Sequence, residues 1–296
     1  MPNWLLFLTP AFIWGSTWLI IKFQFGIVAP EVSVVYRFSL AALILLGWCL
    51  GVRESLRFPS VAHARFALLG ALQFAVNYVL VYLSEEYLTS GLVAVVFALM
   101  VFWNLLGAWL IFGQVMPRRV LVGAACGIVG VALVFWPELA ELRGDKAQLL
   151  GLFYAVLATL GASAGNLGAQ RLYAQGVRVL PCTAWSMLYG AIAVLLFCVL
   201  RGIPFTWDDS PAYGFALAYL TVFGSVFAFI GYLTLLQRIG AGRAGYINAV
   251  IPIIAMIIST IFEDYVWTAP ALTGMALVLC GNLLVLWRVA GKAQPE

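Results

Sequence analysis

Apolar stretches follow one another along almost the whole chain, at about 4–21, 32–51, 64–84, 90–113, 120–136, 148–169, 181–200, 212–236, 244–262 and 268–287. About 20 mostly apolar residues in a helix cross the roughly 30 Å hydrocarbon core of a bilayer. Within that core the backbone has no water to bond, so a spanning segment must satisfy its own N–H and C=O groups. Ten such stretches in 296 residues leave no room for a sizeable soluble domain. Charged residues make up only 9% of the chain, against about a quarter in soluble domains, and mean hydropathy is +1.03. A DNA-binding protein, a secreted disulfide scaffold and a soluble enzyme are thereby excluded. The expected fold class is an all-α polytopic membrane protein with ten transmembrane helices.

The breaks between stretches carry helix-start and turn residues, among them Pro30, Pro59, Pro117, Pro137, Pro181, Pro211 and Pro270. The opening Met1-Pro-Asn-Trp run has no basic segment before it, so it reads as a first span rather than a signal peptide. Charge then sets the expected sidedness. Connectors after spans 2, 4, 6 and 8, with the C-terminal tail, hold eleven of the sixteen basic residues, including Arg57, Arg118, Arg178 and Arg243. Connectors after spans 1, 3, 5, 7 and 9 hold ten of the twelve acids, among them Glu85, Glu86, Glu263 and Asp264. The excess of Lys and Arg on the cytoplasmic side of membrane proteins predicts both termini in the cytoplasm, in the cell inner membrane.

The halves resemble each other at an offset near 150: Tyr82-Leu83 recurs as Tyr232-Leu233, and Ile111-Phe112 as Ile261-Phe262. With one residue of slip, Gly123 and Gly130 recur as Gly274 and Gly281, each pair spaced to lie on one helix face. Two units of five spans must sit upside down relative to each other, because five is odd. The expected domains are a first repeat over 1–143 and a second over 144–296, as inverted five-helix repeats with a substrate site between them.

Several segments resemble the drug/metabolite transporter superfamily, specifically its ten-helix branch built from two EamA domains. They are Phe12 to Lys22, Pro30 through Arg37-Phe38, Tyr87 to Ala94, the Gly-spaced span 5, and Gly240 through Pro252 with Phe262-Glu263. The chain departs from the family pattern at Gln114, near a position where the family often has Glu, and at Phe102, where the second repeat has Pro252. The resemblance implies small-molecule export, often of amino acids or related metabolites.

Polar and aromatic residues in mid-span are the candidates for the pathway, because lipid-facing positions prefer aliphatic side chains. They are Trp14, Thr17, Tyr36, Asn77, Tyr78, Trp103, Asn104, Ser163, Asn166, Trp185, Tyr189 and Asn248. Gln73, Tyr82 and Pro252 share spans with them, whereas spans 5 and 10 are small-residue-rich and read as scaffold. The alternative for each asparagine is interhelical hydrogen bonding, and for each mid-span aromatic, helix packing. Trp4, Trp136, Trp207, Trp267 and Trp287 read as interfacial belt residues. Lys22 and Arg37, near the outer ends of spans 1 and 2, are candidates for a cationic gate at the outer mouth. Their alternative is an anchor paired with Glu31 or another outer acid.

Other chemistry finds little support. The five cysteines lie in apolar runs without metal-ligand spacing, and the only histidine, His63, stands among basic residues at a span start. Gly240-Ala-Gly-Arg-Ala-Gly245 fits a dinucleotide fingerprint but joins two membrane spans rather than following a strand. No metal or cofactor is expected, and no nucleic-acid partner. The partners expected are a small-molecule substrate and the bilayer, for a monomer or weak dimer. No carboxylate is expected at depth, so the transport mode reads as uniport or exchange. A channel or scramblase is the alternative, and a membrane-embedded enzyme lacks the polar machinery it would need.

Overall fold

The structure is a computed structural model, and it describes residues 1–113, 118–136, 146–244 and 247–286. All regular structure there is helical, in ten consecutive spans. Spans 1 and 2 are single helices, Asn3–Lys22 and Pro30–Gly51. Span 3 runs through Ser60–Gly70, a π-helical stretch Ala71–Val76, and Asn77–Glu85. Span 4 was expected as one helix over 90–113. It is two, Ser90–Phe97 and Met100–Phe112, broken at Ala98 and Leu99. Span 5 is Arg118–Val134, span 6 Lys146–Ala174 and span 7 Val179–Arg201. Span 8 repeats the pattern of span 3, with Pro211–Tyr219, a π-helical stretch Leu220–Phe227, and Ala228–Ala244. Spans 9 and 10 are Ile247–Phe262 and Ala269–Leu286. Spans 4 and 7 stop at Gly113 and Gly202, whose φ of 64° and 65° are left-handed values that only glycine adopts without strain. Gln114, Pro117, Pro137, the acids at 138, 141 and 145, Gly245 and Trp287 onward lie outside the described residues.

Seven of these helical runs are long and apolar enough to cross a membrane, and spans 9 and 10 are shorter apolar helices. Their outward faces carry exposed aliphatic residues such as Leu43, Leu68, Leu110 and Leu200. An exposed apolar belt of this kind suits hydrocarbon rather than water. The chain is a multi-pass membrane protein.

The ten spans alternate between two ends of the bundle. At the end where span 1 begins, Arg238 donates to the Met1 carbonyl at 2.8 Å, Arg178 pairs with Glu54 at 2.7 Å, and Arg65 donates to Gln175 at 2.6 Å. We call this the terminal end. At the far end, Tyr36 donates to the Thr206 carbonyl at 2.9 Å, and Thr206 to that of Ile27 at 3.0 Å. Among the described residues, the connectors after spans 2, 6 and 8 thus gather at one end and those after spans 1 and 7 at the other, in keeping with the charge pattern.

The two halves pack in corresponding ways. Spans 5 and 10 pack antiparallel through the four glycines: a Cβ built on Gly123 would stand 2.7 Å from the Gly281 carbonyl oxygen, and one on Gly130 2.6 Å from that of Gly274. These glycines let two backbones touch, as the spacing predicts. Span 1 packs on spans 8 and 9 as span 6 packs on spans 3 and 4, while span 2 lies against span 7. Gly15 and Gly165, 150 residues apart, are both close-contact positions but against different partners, Ile254 of span 9 and Gln73 of span 3. The two π-helical stretches also recur near this offset.

Candidate functional site

Where the two π-helical stretches approach spans 1 and 6, the bundle leaves a chamber. A π turn widens the helix and weakens its own hydrogen bonding, so neighbouring side chains complete it. Trp14 Nε1 donates to the Gly224 carbonyl at 3.1 Å, Ser225 Oγ to that of Leu220 at 3.0 Å, and Asn77 Nδ2 to that of Gln73 at 3.1 Å. The chamber has a volume of about 90 Å³, and its lining includes Trp14, Thr17, Trp18, Arg37, Gln73, Asn77, Tyr78, Asn166, Phe229, Tyr232 and Asn248. Spans 4 and 9 both contribute where their helices are interrupted or hold proline, through Phe97, Ala98 and Met100 on one side and Ile251 and Pro252 on the other.

The polar groups are placed singly among aromatic rings. The indole of Trp14 meets Phe229 and Tyr232 at centroid distances of 5.1 and 5.2 Å, and Trp18 meets Phe97 at 4.9 Å. Asn166 contacts Met100, with Nδ2 3.6 Å from the sulfur. Asn77 Oδ1 and Gln73 Oε1 are buried without hydrogen-bond partners among the described residues. Such a site holds an apolar body by packing and leaves acceptors open to orient a donor.

Seven predicted residues line this chamber: Trp14, Thr17, Asn77, Tyr78, Asn166, Asn248 and Arg37. The others lie elsewhere. Tyr36, one residue and about 100° round the helix from Arg37, packs on Trp207 at the far end. Trp103 and Asn104 follow the break in span 4, and Trp103 packs on Phe102. Ser163 is buried one step out of phase with the lining residues Ala162 and Asn166. Trp185 and Tyr189 stack at 5.9 Å towards the terminal end, around His63, whose Nδ1 is 3.0 Å from the Tyr189 hydroxyl. His63 is thus part of an aromatic cluster that sequence position among arginines did not suggest. Tyr232, Phe229 and Phe97 were also missed, although Tyr232 is the repeat mate of Tyr82.

The far end of the chamber is closed by a polar network. Arg37 Nε donates to Ser225 Oγ at 2.9 Å, its Nη1 to Tyr82 at 3.4 Å, and Tyr82 to Gln24 at 2.7 Å. Above it, Lys22 Nζ donates to the carbonyls of Glu85 and Leu88 and lies 4.0 Å from Glu263. Glu263 in turn accepts from the backbone N–H of Ser90 at 3.1 Å, with each carboxylate oxygen, and from its hydroxyl. A carboxylate at the first turn of a helix is stabilised by the free N–H groups there. Lys22 is therefore an anchor with an acid partner, whereas Arg37 has none within 4.0 Å among the described residues, Glu31 included. Outside the spans, burial first and then the nearby Glu31 push the Glu86 carboxyl above its ordinary value, with Lys22 opposing.

Glu85 ends span 3, as expected of an acid at a span edge, yet it is 0% exposed, and neither carboxyl oxygen has a hydrogen-bond partner among the described residues.

Towards the terminal end the structure is more open. A vestibule of about 460 Å³ lies between spans 3, 4 and 6, lined by apolar residues with Arg65 and Arg171. A small cavity shares Leu69 with that vestibule and Gln73, Asn166 and Phe229 with the chamber.

Comparison with known proteins agrees with this architecture. The EamA-like transporter family matches the chain twice, over residues 2–136 and 149–287. The chain is 26% identical over 260 residues to the uncharacterized inner membrane transporter YedA of Escherichia coli K12, covering 84% of this chain and 78% of that one. It is 23% identical over 296 residues to protein PagO of Salmonella typhimurium, covering 97% and 90%. A solved crystal structure of a protein 17% identical superposes with a TM-score of 0.71 over 98% of both chains, a likeness of fold.

Proposed function

The chain belongs to the EamA-like transporter family, and from that premise we propose that it is a secondary transporter, operating as an exporter, for a small organic metabolite. The substrate class that fits best is an amino acid with an aromatic or hydrophobic side chain, or a related solute. The single observation that carries this reading is the chamber lined from both halves by aromatic rings and isolated amides. Two near-equivalent packings of inverted repeats supply the two states of alternating access, with repeat 1–143 rocking against repeat 144–296. The terminal end is assigned to the cytoplasm of the inner membrane by its arginines, and the far end to the outside.

Proteoliposomes loaded with a panel of radiolabelled amino acids and metabolites test the reading. Saturable efflux of at least one aromatic or hydrophobic amino acid supports it, and no flux above protein-free vesicles for any solute defeats it. Flux that never saturates favours a channel instead. Uniport or exchange remains the proposed mode. The buried Glu85 favours a second, proton-linked mode, and accumulation that follows an imposed pH gradient and disappears in Glu85→Gln would decide for the second.

A further inference from the structure

Arg37 is 1% exposed, lines the chamber, and stands in the middle of an apolar bundle. A guanidinium is a permanent cation with five N–H donors. Here Nε serves Ser225 and Nη1 serves Tyr82, both neutral hydroxyls. The charge is otherwise held over the rings of Tyr78 and Phe38, 4.7 and 5.2 Å from their centroids. No carboxylate of the described residues lies within 4.0 Å of it. A buried ion without a counter-ion is costly inside a membrane protein, and intramembrane cations mark ligand pathways.

The second half of the chain shows what stands at the corresponding position. At the offset of 150 the mate of Arg37 is Met187, also fully buried, on a span that packs against the other π-helical stretch. Tyr82 keeps its identity in the second repeat as Tyr232, but the other groups that hold Arg37, namely Ser225, Tyr78 and Phe38, have Ala75, Ala228 and Leu188 at that offset. The cation and the side chains that hold it therefore occur together in one half only.

We propose that Arg37 is the receptor for a carboxylate on the transported solute, held in the chamber by the guanidinium donors that Ser225 and Tyr82 leave free. This deepens the transporter reading and rests on it. The substrate class becomes a carboxylate joined to an apolar or aromatic body, whose body packs on Trp14 and Phe229 while Arg37 takes the anion. Arg65 and Arg171 in the vestibule attract the same charge before it enters. Cations and amides of the same shape are disfavoured, because they leave the buried guanidinium unpaired.

The test uses the purified full chain and two probes of equal shape, 3-phenylpropionate and 3-phenylpropionamide, followed by the melting temperature across a concentration series. The wild type is expected to be stabilised by the carboxylate at concentrations at least about tenfold below those of the amide, a ratio that a charged hydrogen bond readily supplies. Arg37→Met copies the mate residue, folds, and loses the preference. Arg37→Lys keeps the charge but not the planar fork, and is expected to need roughly tenfold more carboxylate. Equal stabilisation by acid and amide, no effect of the acid at any concentration, or an unchanged preference in Arg37→Met would each overturn the proposal. Should Arg37→Met not fold, an unchanged response in Arg37→Lys overturns it alone. Flux in the proteoliposome panel separates the two readings: transport that is indifferent to the carboxylate defeats the Arg37 assignment and leaves the transporter standing.

Discussion

The two ends of the chamber are built by the same fold and finished with different chemistry. At the far end, Arg37, Tyr82 and Gln24 close the roof, and Lys22 and Glu263 clamp spans 1 and 9 onto the start of span 4. At the offset of 150 the corresponding positions of Lys22, Gln24 and Arg37 are Leu172, Ala174 and Met187. The terminal end has no such clamp among the described residues, and it is there that the 460 Å³ vestibule lies. If the repeats were identical, the outward- and inward-open packings would have equal free energy. A clamp at one end only tilts that balance, and its strength sets how far. The comparison separates what both copies have, the glycine seam, from what one copy has, the polar roof and clamp.

The glycine contact is the part both copies share, and disturbing it has the largest expected effect. Gly130→Leu and Gly274→Leu each drive a side chain into the partner's backbone carbonyl. Overpacking costs about 1–3 kcal/mol even where neighbours can yield, and here the neighbour is backbone. Both variants are expected to lose most of their monodisperse protein on size-exclusion chromatography, and to the same degree. A marked difference between them would break the equivalence of the two halves.

Next is the chamber wall. Trp14 joins span 1 to the π-helical stretch of span 8 through its indole N–H, whereas its mate is Ala164, a small residue of the vestibule wall. Trp14→Ala is expected to lower the transport rate by about tenfold or more, roughly 1.4 kcal/mol, while the protein stays folded. Ala164→Ser is expected to leave it unchanged. An equal response in both would place the substrate path away from this wall.

These contrasts also show what sequence reading reached. Ten spans, two ends and the glycine seam follow from the apolar period, the charge alternation and the spacing of seven, all of which are local or repeat at a fixed offset. Seven residues of the chamber lining were legible because a polar group in mid-span costs too much to face lipid. The misses have a common cause, which is that depth was read but azimuth was not. Tyr36 and Arg37 share a depth and point to different places, and Trp103 and Asn104 lie one turn beyond Met100, the last residue of span 4 in the chamber lining. Phe229 and Phe97 have no polar atom to mark them. Glu85 lies at a span end in the sequence, and only the packing of spans 1, 6 and 9 over it makes it buried.

The clamp itself gives a smaller effect. Charge-assisted hydrogen bonds contribute about 1.5–3 kcal/mol, and the lower figure applies here because the Lys22 side chain is 26% exposed. Lys22→Met and Glu263→Gln are therefore expected to raise the far-open fraction roughly tenfold. The readout is labelling of Val81→Cys, in the chamber wall, by a membrane-impermeant thiol reagent added from the far side. Leu172→Met, at the mate position, is expected to change nothing. Unchanged labelling in both clamp variants would mean that the far end is held shut by packing alone.

The smallest effect belongs to the other ion pair, and it sharpens the comparison because distance alone ranks the two wrongly. Arg178 and Glu54 meet at 2.7 Å, against 4.0 Å for Lys22 and Glu263. The shorter pair joins two connectors at the terminal end, and the Arg178 side chain is 73% exposed. Water screens such a pair and ordering the long side chain offsets part of its attraction, leaving about 0.2–1 kcal/mol. The longer pair is backed by two carbonyls on Lys22 and by the Ser90 N–H and hydroxyl on Glu263, so removing one partner strands several others. Glu54→Gln is accordingly expected to shift the melting temperature by no more than about 2–4 °C, and to leave far-side labelling of Val81→Cys where it was. A change in labelling as large as that of Glu263→Gln would show that the connectors at the terminal end, and not the clamp at the far end, set the resting state.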